Sequence, residues 1–260
     1  MEKYILTAKE FLYLCASVDV YEIYGVENAF KGMNAAQIEQ QIPVIQQSLE
    51  NKGYIESDFD GNSYVNQNLL ELVEKCATCQ KMITVDKRKT GEETKAVVFY
   101  AKDGEIIKSD RIDDGYEVSL VKKSEVLDFV SDILSKVNSE NNYDFEKFSI
   151  PNKILTKAKT KASSGYYEDA EKAVKEIVSD KKLAKAIIDG ITEKCGFYSV
   201  VTTDFTVKED FVKNTSFIDT NCGLITVTPT VNGIVSEVEF ESACAEKIKE
   251  TVIDNLSALL

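Results

Sequence analysis

The chain has 260 residues, of which 43% are hydrophobic and 29% are charged, as is typical of a globular protein that can bury a core. Its formal net charge of −13 argues against a nucleic-acid backbone or an anionic membrane surface as partner. It contains no histidine, which removes the commonest general base and most zinc sites, so we expect no enzyme activity, no cofactor and no metal.

The start of the chain shows no targeting segment. It lacks the basic region followed by an unbroken apolar core that a signal peptide requires. No stretch reaches the roughly 18 apolar residues of a membrane span. We therefore expect a cytoplasmic protein without stable membrane insertion.

Two helices are predicted in the first 53 residues. Apolar side chains at helical spacing predict the first over residues 7–23. Asn34 and Gln37 have the spacing of a capping box, which begins the second helix. We expect Pro43 to bend this helix or mark its true start, and Gly53 to end it.

A short strand, a turn and a second strand are predicted over residues 54–66, followed by a helix over residues 66–77. A helix followed by such a hairpin is the pattern of a winged helix. The preceding helix carries one lysine and two glutamates, so it has no basic recognition face. We therefore expect a winged-helix-like structural corner, and a regulator without strong DNA binding stays an alternative.

Four strands and a helix are predicted next. The strands cover residues 81–88, 96–102, 105–112 and 116–122. Asp103-Gly104 and Asp114-Gly115 have turn composition. Ser124 is the expected N-cap of a helix over residues 124–137. The polar stretch 138–153, which contains Pro151, is the best candidate linker.

A second series of helices and then strands follows this linker. Helices are predicted over residues 154–196, with breaks near Ser163–Gly165 and Ser179–Asp180. The strands cover residues 198–207, 214–220, 223–229 and 233–240. Asn232-Gly233 is a strong signal for a type I′ hairpin turn. Ser242 is expected to begin a terminal helix.

The two strand blocks align at one shift of 118 positions. Gly115 and Gly233 are related in this way, as are Ser124 and Ser242. The match in element type and turn position extends from about residues 68–134 to 186–252, and it predicts an internal repeat.

Each half-sheet has an open edge that must be paired or covered, so we expect the two halves to join through those edges. The expected fold class is α+β, with a pseudo-two-fold central antiparallel β-sheet flanked by helical bundles. Residues 1–260 would form a single globular unit, with residues 1–140 as its first structural half and residues 141–260 as its second.

Two of the six cysteines, Cys76 and Cys79, have the spacing of a redox or metal motif. The pair closes a helix before a strand, whereas a thioredoxin-type pair begins a helix after a strand. We interpret these thiols as structural, and a redox or metal role is left open.

Residues 216–233 read SFIDTNCGLITVTPTVNG and precede an amphipathic segment. This order of strand, turn, strand and helix, with Asp219 and Gly223 at the turn, resembles the EspG family of ESX (type VII) secretion chaperones. The arginine usual after that glycine is absent, since Leu224 follows. The resemblance implies a cytosolic, non-enzymatic chaperone, here a remote Gram-positive relative. Its client would be a helical hairpin of the WXG100, LXG or PPE-like type.

The resemblance also implies a site. Family members grip the client with a loop between early strands, which corresponds here to residues 86–94. The candidate partner-binding residues are Lys87, Arg88, Lys89, Thr90, Gly91 and Glu92. The alternative interpretation is a solvated connection. A ligand-sensing or regulatory α+β protein is the alternative function.

Overall fold

The computed structural model describes residues 2–58, 62–92, 95–135, 144–207, 211–220, 222–232 and 235–244, with residues 246, 250, 253 and 254. Its helices are α1 (Ala8–Ala16), α2 (Ala35–Asn51), α3 (Gln67–Ala77), α4 (Lys123–Ser135), α5 (Asn152–Ser163), α6 (Tyr167–Lys175) and α7 (Lys181–Ile191). Its strands are β1 (Lys3–Leu6), β2 (Ile55–Ser57), β3 (Ser63–Val65), β4 (Lys81–Arg88), β5 (Lys95–Lys102), β6 (Glu105–Ile112), β7 (Gly115–Val121), β8 (Phe148–Pro151), β9 (Gly196–Asp204), β10 (Phe211–Thr220), β11 (Gly223–Asn232) and β12 (Val235–Ala243).

Ten of these strands form one antiparallel sheet in the order β1-β7-β6-β5-β4-β9-β10-β11-β12-β8. The order is symmetric about the junction of β4 and β9, where Lys81 lies opposite Asp204 and Arg88 opposite Phe197. Each half therefore contributes a four-strand meander and one outer strand. The predicted α+β class with a pseudo-two-fold antiparallel sheet is confirmed.

Both helical bundles pack on the same face of this sheet, which we call the bundle face. Met82 belongs to the core under α1–α3, the N-terminal bundle, and it lies opposite Thr203. Phe197 shares that face of β9 because side chains alternate along a strand. Phe197 lies opposite Ile218, which belongs to the core under α5–α7, the C-terminal bundle.

The other face of the sheet packs against α4. Val126 of this helix is fully buried, and the Phe129 ring meets the Phe99 ring edge-on at 5.9 Å. The same core includes Phe217 and Leu224 of the second half. The two halves therefore share one core behind the sheet and have separate cores on the bundle face.

The first helix is shorter than predicted. It begins after Thr7, whose side chain and that of Glu10 form a capping box, and it ends at Ala16 instead of residue 23. Asp19 adopts a left-handed φ of 59°, and the Val20 amide donates to the Cys15 carbonyl at 3.0 Å. These contacts reverse the chain, so residues 17–33 cross the surface as a loop.

The winged-helix-like corner has the predicted order. Asn34 caps α2 with Gln37 at N3, and Pro43 lies inside the helix. Gly53 follows the helix end at a φ of 71°, which glycine adopts without strain. The β2–β3 hairpin pairs Ile55 with Val65.

Three details differ from the predictions. The stretch 138–153 was expected to be a linker, but its end forms β8, which pairs with β12 at the sheet edge. Helix α4 begins one residue before Ser124, and Glu125 accepts from the Lys122 amide at 2.7 Å. Ser242 lies in β12 opposite Ile225, so the terminal helix does not begin there. The sequence also gave no signal for β1, which is only four residues long.

One hairpin turn has the predicted chemistry and one does not. Asp103 and Gly104 adopt positive φ angles of 52° and 80°, as a type I′ turn requires. Ile112 instead pairs directly with Gly115, so this turn consists of residues 113–114, not 114–115. Asn232 lies in a strand opposite Val235, and the rest of the predicted Asn232-Gly233 turn lies outside the described residues.

The shift between the halves varies from strand to strand. Strands β6 and β11 begin at Glu105 and Gly223, 118 positions apart. Strands β4 and β9 begin 115 positions apart, and β7 and β12 begin 120 apart. The alignment of the two blocks therefore requires gaps, and the duplication of residues 68–134 at 186–252 stays a prediction.

Candidate functional site

The centre of the bundle face lies between the two bundles and is built by β4, β9 and β10. We call this surface the saddle. Met82 and Thr203 lie on the bundle face, and side chains alternate between the two faces along a strand. The saddle residues on the bundle face are therefore Thr84, Asp86, Ser199, Val201, Thr203, Val212, Asn214 and Ser216. Most of these side chains are small or polar, and the strip that they form lies between two apolar cores.

Hydrogen bonds order the floor of the saddle. The Asn214 Oδ1 atom accepts from Ser216 Oγ at 3.3 Å and from Ser199 Oγ at 3.5 Å. Both serines are buried, whereas Asn214 and Val201 are half-buried. A floor of this kind is preformed, because its polar groups are paired before any partner binds.

One end of the saddle is apolar and exposed. Val212 is 56% exposed on β10, and Val207 is exposed in the connection that follows β9. The Phe205 ring stacks on the Tyr24 ring with centroids 5.2 Å apart. The Tyr24 carbonyl in turn accepts from the Tyr100 hydroxyl at 2.5 Å, so loop 17–33 is fixed to β5. Sequence patterns did not identify these residues as a surface, because they come from separate loops and strands.

The opposite end contains the predicted loop, residues 86–94. Lys87 and Arg88 end β4, Thr90 and Gly91 lie in a turn, and residues 93 and 94 lie outside the described residues. The ammonium groups of Lys87 and Lys89 lie 3.4 and 2.6 Å from Glu92 carboxylate oxygens. Two of the lysines predicted to grip a client are thus already paired within the loop.

Arg88 connects this loop to the second half of the chain. Its guanidinium lies 2.9 Å from Asp86 and 3.2 Å from Glu193, and it stacks 4.8 Å from the Phe197 ring centroid. The Thr90 amide donates to the Glu193 carbonyl at 2.7 Å. Burial raises the pKa of Asp86, and the Arg88 charge opposes that shift. Whether these residues bind a partner stays a prediction.

The two halves of the chain also contact each other beyond the β4–β9 junction. Arg88 and Thr90 of the first half contact Glu193 of the second. Phe205 of the second half stacks on Tyr24 of the first. These contacts join the two halves at both ends of the saddle.

Replacing Arg88 by alanine is expected to lower the free energy of unfolding by about 1 kcal/mol, because the ion pairs are partly solvated. The Arg88→Lys variant should recover only part of this loss, since lysine cannot stack on Phe197 and contact both carboxylates. Urea unfolding followed by circular dichroism would measure both variants. A loss that disappears completely in the lysine variant would contradict the proposed role of the guanidinium plane.

The thiols of the Cys76/Cys79 pair lie beside Cys15. Burial raises the pKa of Cys15 to about 12, that of Cys79 to about 11 and that of Cys76 well above its usual value. These groups stay protonated near neutral pH, and thiols in that form are poor nucleophiles. Within the described residues, no three His, Cys, Asp or Glu side chains are grouped so that they could hold a metal ion.

The fold is that of the EspG-type chaperones, a pseudo-two-fold sheet with two helical bundles. One similar solved structure is that of the Mycobacterium tuberculosis type VII secretion system chaperone EspG5 in complex with the PE25-PPE41 dimer. The two chains share 12% identity with a TM-score of 0.65, and the match covers 98% of this chain and 96% of that one. No protein-family model and no curated protein matches the sequence. In the described part of the chain, no helix is both long and apolar enough to cross a membrane.

Proposed function

We propose that the protein is a non-enzymatic cytosolic chaperone that binds and masks a helical-hairpin protein of a type VII secretion system. The observation that carries the proposal is the saddle, a strip of the central sheet between the two bundles that has the exposed apolar residues Val212, Val207 and Tyr24 at one end. The similarity to EspG5 supports it, because that chaperone is in complex with a protein dimer, PE25-PPE41.

The chemistry of the saddle suits a helical tip. Exposed apolar groups at Val212, Val207 and Tyr24 offer burial to apolar client residues, which drives most protein association. In the polar floor, the half-buried Asn214 offers its side-chain amide to the loop of a hairpin, while the hydroxyls of the buried Ser199 and Ser216 hold that amide in place. Apolar contact at one end and polar contact in the centre would fix the orientation of the client.

Masking follows from the burial of these apolar residues. A client tip that is apolar and exposed tends to self-associate before it reaches the secretion apparatus. Covering that tip with the saddle removes the same surface from solvent. Chaperone action of this kind requires equilibrium binding and no bond making.

The proposal is tested by co-expression with the helical-hairpin proteins of the WXG100, LXG or PPE-like type encoded beside its gene. At least one of them should co-purify as a one-to-one complex, as measured by size exclusion with light scattering. Failure of every such protein to co-purify would contradict the proposal.

In that complex, Val212→Glu is expected to weaken client binding by about tenfold or more, because it places a charge in the apolar contact. The matched control is Val44→Glu on α2, where the valine is 65% exposed but lies on a helix that packs on α1 and β2. Calorimetric titration of both variants with the purified client measures the effect. Equal affinities for the two variants would place the client elsewhere.

A further inference from the structure

The two bundles are related by the pseudo-two-fold axis but differ in charge. Residues 7–77 contain four lysines and eleven acidic residues, whereas residues 152–191 contain nine lysines and six acidic residues. The C-terminal bundle is therefore basic and the N-terminal bundle strongly acidic. A partner that approaches the N-terminal bundle meets a negative potential that favours basic segments.

The acidic bundle also contains a groove of about 180 Å³ next to loop 17–33. Its wall includes Leu12 and Val26 on the apolar side, and Tyr21, Glu22 and Tyr24 at the rim. Tyr21 is 76% exposed, although large aromatic side chains usually bury most of their surface. An exposed aromatic ring next to a carboxylate is a suitable receptor for a lysine or arginine side chain.

The one carboxylate among the residues that line the groove is available for a partner. Glu22 lines the groove and is exposed, and it has no ion-pair partner among the residues that the structure describes. Glu27 differs, because it lies 3.4 Å from the Arg111 guanidinium. A bound cation would therefore meet Glu22 without breaking an existing ion pair.

The groove is held in place by the sheet beneath it. The Glu27 amide donates to the Tyr116 hydroxyl at 3.0 Å. A Cβ atom on Gly25 would lie 2.6 Å from a Val98 methyl group, so the loop sits in direct contact with β5. Because residues 25–27 are held against the sheet before binding, ordering this part of the groove costs little conformational entropy when a partner binds.

We infer that this groove binds a basic segment of a partner protein, with a lysine or arginine side chain held between the Tyr21 ring and the Glu22 carboxylate. The surface is separate from the saddle except at Tyr24, which borders both. The inference does not depend on the proposed client, so a chaperone with its client bound could still present the groove to a second protein.

The experiment uses a fluorescein-labelled peptide of alternating lysine and leucine at physiological ionic strength, with a glutamate–leucine peptide as its charge-reversed counterpart. Fluorescence anisotropy should detect binding of the lysine peptide alone. The Tyr21→Ala, Glu22→Gln double variant should weaken that binding by about tenfold, through loss of the ring and the charge. Neither side chain is buried, so the variant should fold normally.

The matched control is the Tyr166→Ala, Glu168→Gln double variant on the pseudo-equivalent bundle, where Tyr166 is 65% exposed and Glu168 is also exposed. This variant loses the same groups and should bind the lysine peptide as the wild type does. In ¹⁵N-labelled protein, the amides of residues 19–28 should show the largest shifts on titration.

Two results would overturn the inference. Equal losses in the two double variants would mean that the peptide binds through general negative charge. Sedimentation that reveals a dimer dependent on Tyr21 would assign the groove to a second copy of the chain, whose basic C-terminal bundle would supply the lysine.

Discussion

Gly115→Ala is expected to lower the free energy of unfolding by about 3 kcal/mol, at the upper end of the range for overpacked sites. A Cβ atom at this position would lie 2.2 Å from the Leu6 carbonyl oxygen, which belongs to the main chain of β1. A side chain could rotate away, but a backbone carbonyl can move only with its strand. The substitution therefore displaces β1, which forms the edge of the sheet.

Gly104→Ala is the matched control for this variant. Gly104 has a φ of 80° in a turn, and an added Cβ atom would meet nothing within 4 Å. The cost there is backbone strain alone, about 1 kcal/mol. Chemical denaturation of both variants gives the comparison, and a Gly115→Ala variant no less stable than Gly104→Ala would contradict the steric argument.

Glu10→Ala is the second substitution with a large expected effect, again about 3 kcal/mol, because it leaves buried donors without an acceptor. The Glu10 side chain is 1% exposed. Its carboxylate accepts from the Thr7 amide, the Ser48 hydroxyl and the Lys52 ammonium, each at 2.7 Å. One carboxylate thus holds together the start of α1 and the last turn of α2.

The charge of Glu10 also predicts a dependence on pH. Burial raises the pKa of this carboxyl, but the bonds from Lys52, Thr7 and Ser48 outweigh burial and hold it below its usual value of 4.5. A carboxyl with a lowered folded-state pKa stabilises the fold above its unfolded pKa, and this contribution is lost as the pH falls through the folded-state value. The wild type should therefore lose stability below about pH 4.5.

Glu10→Gln isolates the charge from the shape of the side chain. At neutral pH it should be less stable than the wild type by about 1–2 kcal/mol, since it keeps an acceptor but loses charge-assisted bonds. Urea unfolding at several pH values should show this difference shrinking as the pH falls from neutrality to about pH 3. A difference that stays constant would mean that Glu10 is not ionised in the folded protein.

Gly115 and Glu10 act on the same junction, because Leu6 and Thr7 connect β1 to α1. Displacing β1 at Gly115 also moves the Thr7 amide that donates to Glu10. The two alanine substitutions should therefore be non-additive, with a double variant less destabilised than the sum of the single variants. If the losses in free energy of unfolding of the two single variants simply added in the double variant, the clash at Gly115 would be relieved without movement of this junction.

Local signals in the sequence predicted the structure correctly where the contacts that stabilise a segment lie within that segment. The capping pair Asn34 and Gln37 satisfies backbone donors within α2, and Asp103-Gly104 forms its turn from two adjacent residues. The periodic strand blocks identified the eight meander strands, because alternation reports burial of one face. The order of these elements was sufficient to predict the pseudo-two-fold sheet.

The same signals failed where a distant contact determines the backbone. Apolar spacing continued past Ala16, but Asp19 and the Val20 amide turn the chain so that loop 17–33 packs on β5. β1 and β8 have too few residues for a periodic pattern, and they become strands by pairing with β7 and β12. In the loop predicted as the partner site, Lys89 pairs with Glu92 of the same loop, and Arg88 pairs with Glu193 of the second half. The second contact joins residues far apart in the chain, so no local pattern predicts it.

The sequence by itself determined the order of the helices and meander strands, the absence of histidine chemistry and the net negative charge, because these depend on residue type and local spacing. Only the tertiary structure decided which residues share a surface. Phe205 stacks on Tyr24, and Val212 lies opposite Thr203 at the same end of the saddle, because the two halves pack together along the β4–β9 junction. Such contacts join residues far apart in the chain and form only when the two halves pack together. The periodicity of a single segment therefore cannot predict them.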